Sequence, residues 1–157
     1  QEDGRRAGTV NVPFAVGAAE AFKLAMTDLD ENVDHYRRLR DRLIAGILAI
    51  GDAIILTGHP KERLPHNASF AFRGLSGNDL LIHLDAAGIA ASSGSACSTG
   101  NPRPSAILQA LGLDEEWTRG GLRLTVGRQN TEHDIDLVLE AMPRIVATLR
   151  KFQLEYA

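Results

Sequence analysis

From Pro13 onward the chain carries a helical period. Met26, Leu29, Val33, Tyr36, Leu39, Leu43, Ile47 and Ile50 recur at spacings of three and four, which gathers them on one helix face. Pro13 suits a first helical turn, where its missing N–H costs nothing, and Gly51 suits a stop. A helix that long is unusual, and Gly17 or residues 27–30 are the places for it to divide. Residues 1–12 show no apolar period and predict a loop or extended arm. Residues 53–57, ending before Gly58, and residues 68–72, after the Pro65-His66-Asn67 turn, predict two short strands.

Ser76 and Asp79 have the spacing of a capping pair and open a helix through Ala87, with Gly88 as its stop. Residues 89–91 predict a brief strand. Pro104 opens a short helix that closes at Gly112. Leu122, Leu124 and Val126 alternate with Arg123, Thr125 and Gly127, the period of a half-buried strand. Thr131 and Asp134 cap a last helix with Ile135, Val138, Leu139, Met142, Ile145, Leu149 and Phe152 on its buried side. Pro143 falls inside that pattern, and an interior proline costs roughly 3 kcal/mol, so a kink or break is expected there. The sum is a small α+β domain: three or four short strands covered by a long N-terminal helix and a C-terminal helix.

Composition narrows the function classes. The 157 residues are 44% hydrophobic and 24% charged, with a net charge of −3, the profile of one globular domain. No Lys/Arg run supports nucleic-acid binding. No apolar run approaches the roughly 18 residues of a membrane span, and no signal peptide is visible. A single cysteine cannot close an internal disulfide, which favours a reducing, cytoplasmic setting. The chain starts at Gln1 without a methionine, so it is expected to be a piece of something longer.

That one cysteine, Cys97, sits in Ser-Ser-Gly-Ser-Ala-Cys-Ser-Thr-Gly-Asn, among small and polar neighbours, where the backbone can bend. Two readings stand: a nucleophile, or a chance thiol in a polar surface loop. No His or Lys lies within ten residues on either side, so activation would come from elsewhere in space or from a ligand. Arg123 projects from the face opposite Leu122 and Leu124. It is either a carboxylate anchor, through its planar fork of donors, or a solvated arginine. Arg5-Arg6-Ala7-Gly8-Thr9 offers a glycine beside a hydroxyl and cations, a weak phosphate motif or a flexible basic terminus. The five histidines show no metal-ligand spacing.

Residues 88–100, Gly-Ile-Ala-Ala-Ser-Ser-Gly-Ser-Ala-Cys-Ser-Thr-Gly, followed by Pro104-Ser105 and Ala110-Leu111-Gly112, resemble the catalytic-cysteine segment of cysteine desulfurases. These are NifS/IscS-type enzymes of the class V aminotransferase group. Residues 122–128, with Thr131-Glu132 and Ile135-Asp136, are similar to that family's substrate-arginine strand and final helix. Residues 1–11 resemble the segment shortly after its cofactor lysine. The resemblance implies the small C-terminal domain of a fold type I transferase dependent on pyridoxal phosphate. Its short, mostly antiparallel sheet is expected under the two helices. Residues 1–25 would be the arm and helix start linking to a large cofactor domain, and 26–157 the small domain.

The resemblance also implies roles. The whole enzyme would convert L-cysteine to L-alanine, leaving a persulfide on Cys97 for an acceptor protein such as an iron–sulfur scaffold. Arg123 would bind the substrate carboxylate. Thr9 would reach the phosphate of pyridoxal phosphate in the partner subunit of a homodimer. Lys23, Lys61 and Lys151 sit in patterns unlike the family's cofactor lysine, so the chain alone is expected to be inactive. The alternative is a stand-alone sulfur-carrier or docking module that shares Cys97 and has no pyridoxal phosphate chemistry of its own.

Overall fold

The computed structural model describes residues 2–5, 7–93 and 104–156. Residue contacts divide the chain into two units, Gln1–Val33 and Asp34–Ala157. The first unit holds a 3-10 turn, Glu2–Gly4, and helix α1, Val12–Thr27. Asn11 starts α1: its side-chain oxygen accepts the Phe14 N–H at 3.2 Å, and Pro13 occupies the first turn. Gly17 stays inside the helix, and the break falls at Asp28. There the Thr27 hydroxyl donates back to the Lys23 carbonyl at 3.0 Å, a bond that weakens a helix. Helix α2, Leu29–Leu48, follows at once. The buried stripe is shorter than its sequence period: Met26 and Leu29 are exposed, and burial is confined to Leu39, Arg40, Leu43 and Ile47.

In the second unit three strands, β1 (Ile54–Leu56), β2 (Asn67–Phe72) and β3 (Gly121–Thr125), pair antiparallel in the order β1-β2-β3. The register sets Ile54 opposite Phe72, and Ser69 opposite Arg123. One sheet face carries Phe70, Phe72, Leu122 and Leu124, all buried, with the two phenylalanine rings edge to face at 6.4 Å. Against it lie Leu39, Leu43 and Ile47 of α2, Leu80 and Leu84 of α3 (Gly77–Ala86), and the inner side of α6 (Glu132–Tyr156). This is the α+β fold with a short antiparallel sheet that the sequence implies.

Four local expectations fail. Helix α6 runs through Pro143 without a break. Ile145, Val146 and Leu149 beyond the proline are all buried. At about 1.5–3 kcal/mol per buried side chain, they outweigh the roughly 3 kcal/mol proline penalty. Phe152, assigned to the buried side, is instead exposed. Residues 89–91 form no strand, because Gly88 N–H and Ile89 N–H close α3 by donating to Asp85 and Leu84 carbonyls, both at 2.9 Å. Pro104 precedes the next helix rather than opening it. Ser105 is the cap, and α4 spans Ala106–Ala110, followed by α5 at Glu115–Thr118.

Two close approaches lock the layers. A Cβ on Gly46 would overlap the Leu139 side chain, so glycine lets α2 and α6 come together. A Cβ on Gly120 would overlap the Phe72 carbonyl group, and the Phe72 N–H donates to the Gly120 carbonyl at 2.9 Å, which holds the two backbones together. Gly120→Ala is therefore expected to lower the unfolding free energy by about 2–3 kcal/mol. Gly17→Ala, with open space around it in α1, should raise helix stability by about 0.5–1 kcal/mol. Denaturant titration of both variants checks the opposite signs.

The start of α6 is a capping box. The Asp134 carboxylate accepts the Thr131 N–H at 2.7 Å, and the Thr131 hydroxyl accepts the Asp134 N–H at 3.4 Å. The Thr131 backbone bond holds the Asp134 carboxyl below its ordinary pKa. A carboxylate depressed in the folded state stabilises above its unfolded pKa and loses that contribution as pH falls through the folded one. The stability gap between wild type and Asp134→Asn should thus be full at neutral pH. It should shrink below the unfolded aspartate value of about 3.9. Chemical denaturation across acidic pH measures it.

Candidate functional site

Strand β3 is buried at Gly121, Leu122 and Leu124 and exposed at Arg123 and Thr125. The strand period therefore sends Arg123 to the face away from the core, opposite Ser69 in the ladder. On its other edge, Arg123 forms a bridge to Ser92. Its N–H donates to the Ser92 carbonyl at 2.7 Å, and its carbonyl accepts the Ser92 N–H at 3.1 Å. Ser92 lies five residues before Cys97 in the sequence. Cys97 itself falls outside the described residues. On the far side of that segment, Ser105 N–H donates to the Thr118 carbonyl at 3.0 Å, and the Ser105 hydroxyl caps α4.

The sheet face around Arg123 borders a cavity of about 390 Å³. Leu64, Ile107 and Leu111 supply its apolar wall, and Thr57, His59, Arg63, Ser69 and Ser105 add polar groups. Among the described residues, no aspartate or glutamate lines it. The Thr57 hydroxyl donates to the Ser69 hydroxyl oxygen at 2.8 Å. His59 Nδ1 accepts two backbone N–H groups, from Lys61 at 3.2 Å and Glu62 at 2.8 Å. An Nδ1 that accepts leaves the ring proton on Nε2, so His59 is a donor at its outer nitrogen.

Arg63 is the anomaly of this wall. Its Nη2 donates to the Thr57 carbonyl at 3.0 Å, while Nε and Nη1 are buried with no hydrogen-bond partner among the described residues. A buried N–H left unpaired costs about 1–3 kcal/mol, more for a charged group. Burial, and then the nearby Arg40 charge, push the Arg63 guanidinium below its ordinary pKa. Arg40 is itself satisfied by Asp41 at 2.7 Å and by the Leu64 carbonyl at 3.2 Å.

Of the three site residues read from the sequence, the described structure places Arg123 at this cavity. Thr9 lies in the first unit, exposed, between Gly8 and Val10. Thr57, His59, Arg63 and Ser69 were not singled out for chemistry. Only the β2–β3 register brings Ser69 to Arg123, and no local motif marks it. The lysines are poor Schiff-base candidates, which require a desolvated amine. Lys23 and Lys151 are 74% and 79% exposed and pair with Glu20 and Glu155, and Lys61 is exposed. Among the described residues, no group of three or more His, Cys, Asp and Glu could hold a metal ion. No helix among them is long and apolar enough to cross a membrane.

Comparison with known proteins gives a consistent result. The family model for class V aminotransferases matches residues 1–138. The chain is 47% identical over 150 residues to the cysteine desulfurase IscS of Methanosarcina thermophila, covering 96% of this chain and 37% of that protein. It is 46% identical over 158 residues to the IscS-like cysteine desulfurase of Mycobacterium tuberculosis, covering 100% of this chain and 40% of that protein. Among solved structures, a NifS-like protein aligns with a TM-score of 0.80 at 32% identity, over 95% of this chain and 37% of that one. The chain thus spans less than half the length of the relatives it matches.

Proposed function

We propose that this chain, which belongs to the class V aminotransferase family, carries the sulfur-accepting thiol and the substrate anchor of a cysteine desulfurase. The observation that supports this reading is the paired backbone hydrogen bonding of Arg123 and Ser92. They join the strand of a guanidinium suited to a carboxylate to the root of the segment bearing the chain's one cysteine.

In the whole protein, Arg123 holds the carboxylate of L-cysteine through two parallel N–H donors. The Cys97 thiolate attacks the substrate γ-sulfur. A sulfur–sulfur bond forms and the carbon–sulfur bond breaks, and the electron pair left on carbon takes up a proton to give L-alanine. Pyridoxal phosphate, held through a lysine other than Lys23, Lys61 and Lys151, supplies the electron sink. The persulfide on Cys97 then passes to an acceptor thiol, such as that of an iron–sulfur scaffold in the cytoplasm. Small residues on both sides of Cys97 suit a sulfur that serves two places.

Residues 1–25 are, in this reading, the arm and helix start that lead to a large cofactor domain, with 26–157 as the small domain. The exposed Phe14 and Phe22 of α1 support an arm whose apolar side chains are covered in the whole protein. Thr9 reaches the cofactor phosphate of the partner subunit in a homodimer.

The test is mass spectrometry of the full-length protein supplied with pyridoxal phosphate and L-cysteine. Cys97 is expected to gain one sulfur atom, and Cys97→Ser to form no persulfide; an unmodified Cys97 overturns the assignment. Arg123→Lys keeps the charge and loses the planar fork. It should raise KM for L-cysteine about tenfold, the equivalent of roughly 1.4 kcal/mol. Steady-state alanine formation reads this out.

A further inference from the structure

The cavity beside Arg123 carries more positive charge than one substrate carboxylate requires. Among the described residues, two guanidinium groups, Arg63 and Arg123, line it, and no carboxylate does. Arg40, behind Arg63, is already neutralised by Asp41. Arg63 is not: its one bond goes to the neutral Thr57 carbonyl, and two of its nitrogens have no acceptor among the described residues.

The neighbouring polar groups point to the same ligand chemistry. His59 uses Nδ1 to accept the Lys61 and Glu62 amides, which leaves Nε2–H as a donor without a partner among the described residues. Ser69 accepts from Thr57, so its own hydroxyl proton is free to donate. A wall of cations and neutral donors without an acid is complementary to an anion. A volume of about 390 Å³ exceeds what a single carboxylate fills.

We propose that Arg63, with His59 and Ser69, forms a subsite for a small doubly charged oxyanion of the sulfate or phosphate type, separate from the carboxylate contact of Arg123. The subsite stands on the cavity itself, and rests on the desulfurase reading only for the role of Arg123. Its occupant balances the second guanidinium charge on the cavity wall. In the whole enzyme such an anion competes for space with substrate in the same cavity.

The test is a titration of sodium sulfate into the 157-residue chain at constant ionic strength, followed by ¹H–¹⁵N NMR. The arginine Nε–H signals and the amides of residues 57–63 are the reporters. A saturable shift of the Arg63 Nε–H signal is expected in the wild type, and this measurement needs no variant. Arg63→Gln should weaken sulfate at least about tenfold, and Arg63→Lys less, while Arg123→Gln should change it by less than about threefold. Acetate, with one charge, should bind at least about tenfold more weakly than sulfate. A linear, non-saturating shift overturns the subsite. So does sulfate binding that survives Arg63→Gln and disappears with Arg123→Gln, which assigns the anion to Arg123. Equal affinity for acetate overturns the doubly charged class. Loss of the Cys97 persulfide in the full-length assay would sink the desulfurase reading and leave the sulfate result standing.

Discussion

The antiparallel pairing of β2 with β3 is the constraint on which the rest of the second unit depends. Its register sets Phe70 opposite Leu122 and Ser69 opposite Arg123. Because side chains alternate along a strand, one decision about register fixes both faces. Phe70, Leu122 and Leu124 enter the core, and Arg123 emerges on the other side beside Ser69. A slip of one residue would bury a guanidinium and expose the aromatic core. The apolar face therefore holds the Arg123 face in place: hydrophobic burial, worth about 1.5–3 kcal/mol per large side chain, resists a change of register.

The same strand links two regions that are far apart in the chain. Among the described residues, its outer edge carries a single bridge, at Ser92, and the Gly88 and Ile89 amides before it end α3. One bridge fixes the entry of the cysteine segment, and the Ser105 amide and hydroxyl fix its exit. Between those anchors the sequence is rich in glycine and small polar residues.

The elements with a strong period were legible in advance. The alternation through residues 122–126 located β3 and put Arg123 on the polar face. The capping pairs Ser76/Asp79 and Thr131/Asp134 located the starts of α3 and α6. The failures share a cause: local preference was outweighed by packing or by backbone hydrogen bonding. Pro143 was expected to break α6, but burial on both sides of it carries the helix through. Residues 89–91 look strand-like, but the Gly88 and Ile89 amides close a helix. Met26 and Leu29 continue the α2 period, yet the helix breaks at Asp28 and they stay exposed. Periodicity predicts which residues can share a face, and cannot say whether that face meets anything.

The sequence by itself determined the chemistry on offer: one thiol in a permissive segment, one arginine on a half-buried strand, and an order along the chain that resembles a known family. Those properties follow from side-chain identity and short-range spacing, which the backbone preserves. Only the tertiary structure decided what stands beside Arg123. Thr57, His59 and Arg63 lie more than fifty residues away in sequence and meet it across the β2–β3 ladder and the loop after β1. The pairing of Nδ1 of His59 with two amides, and the unmet nitrogens of Arg63, are products of that packing. Contacts of such separation depend on register and burial, which no local pattern of residues specifies.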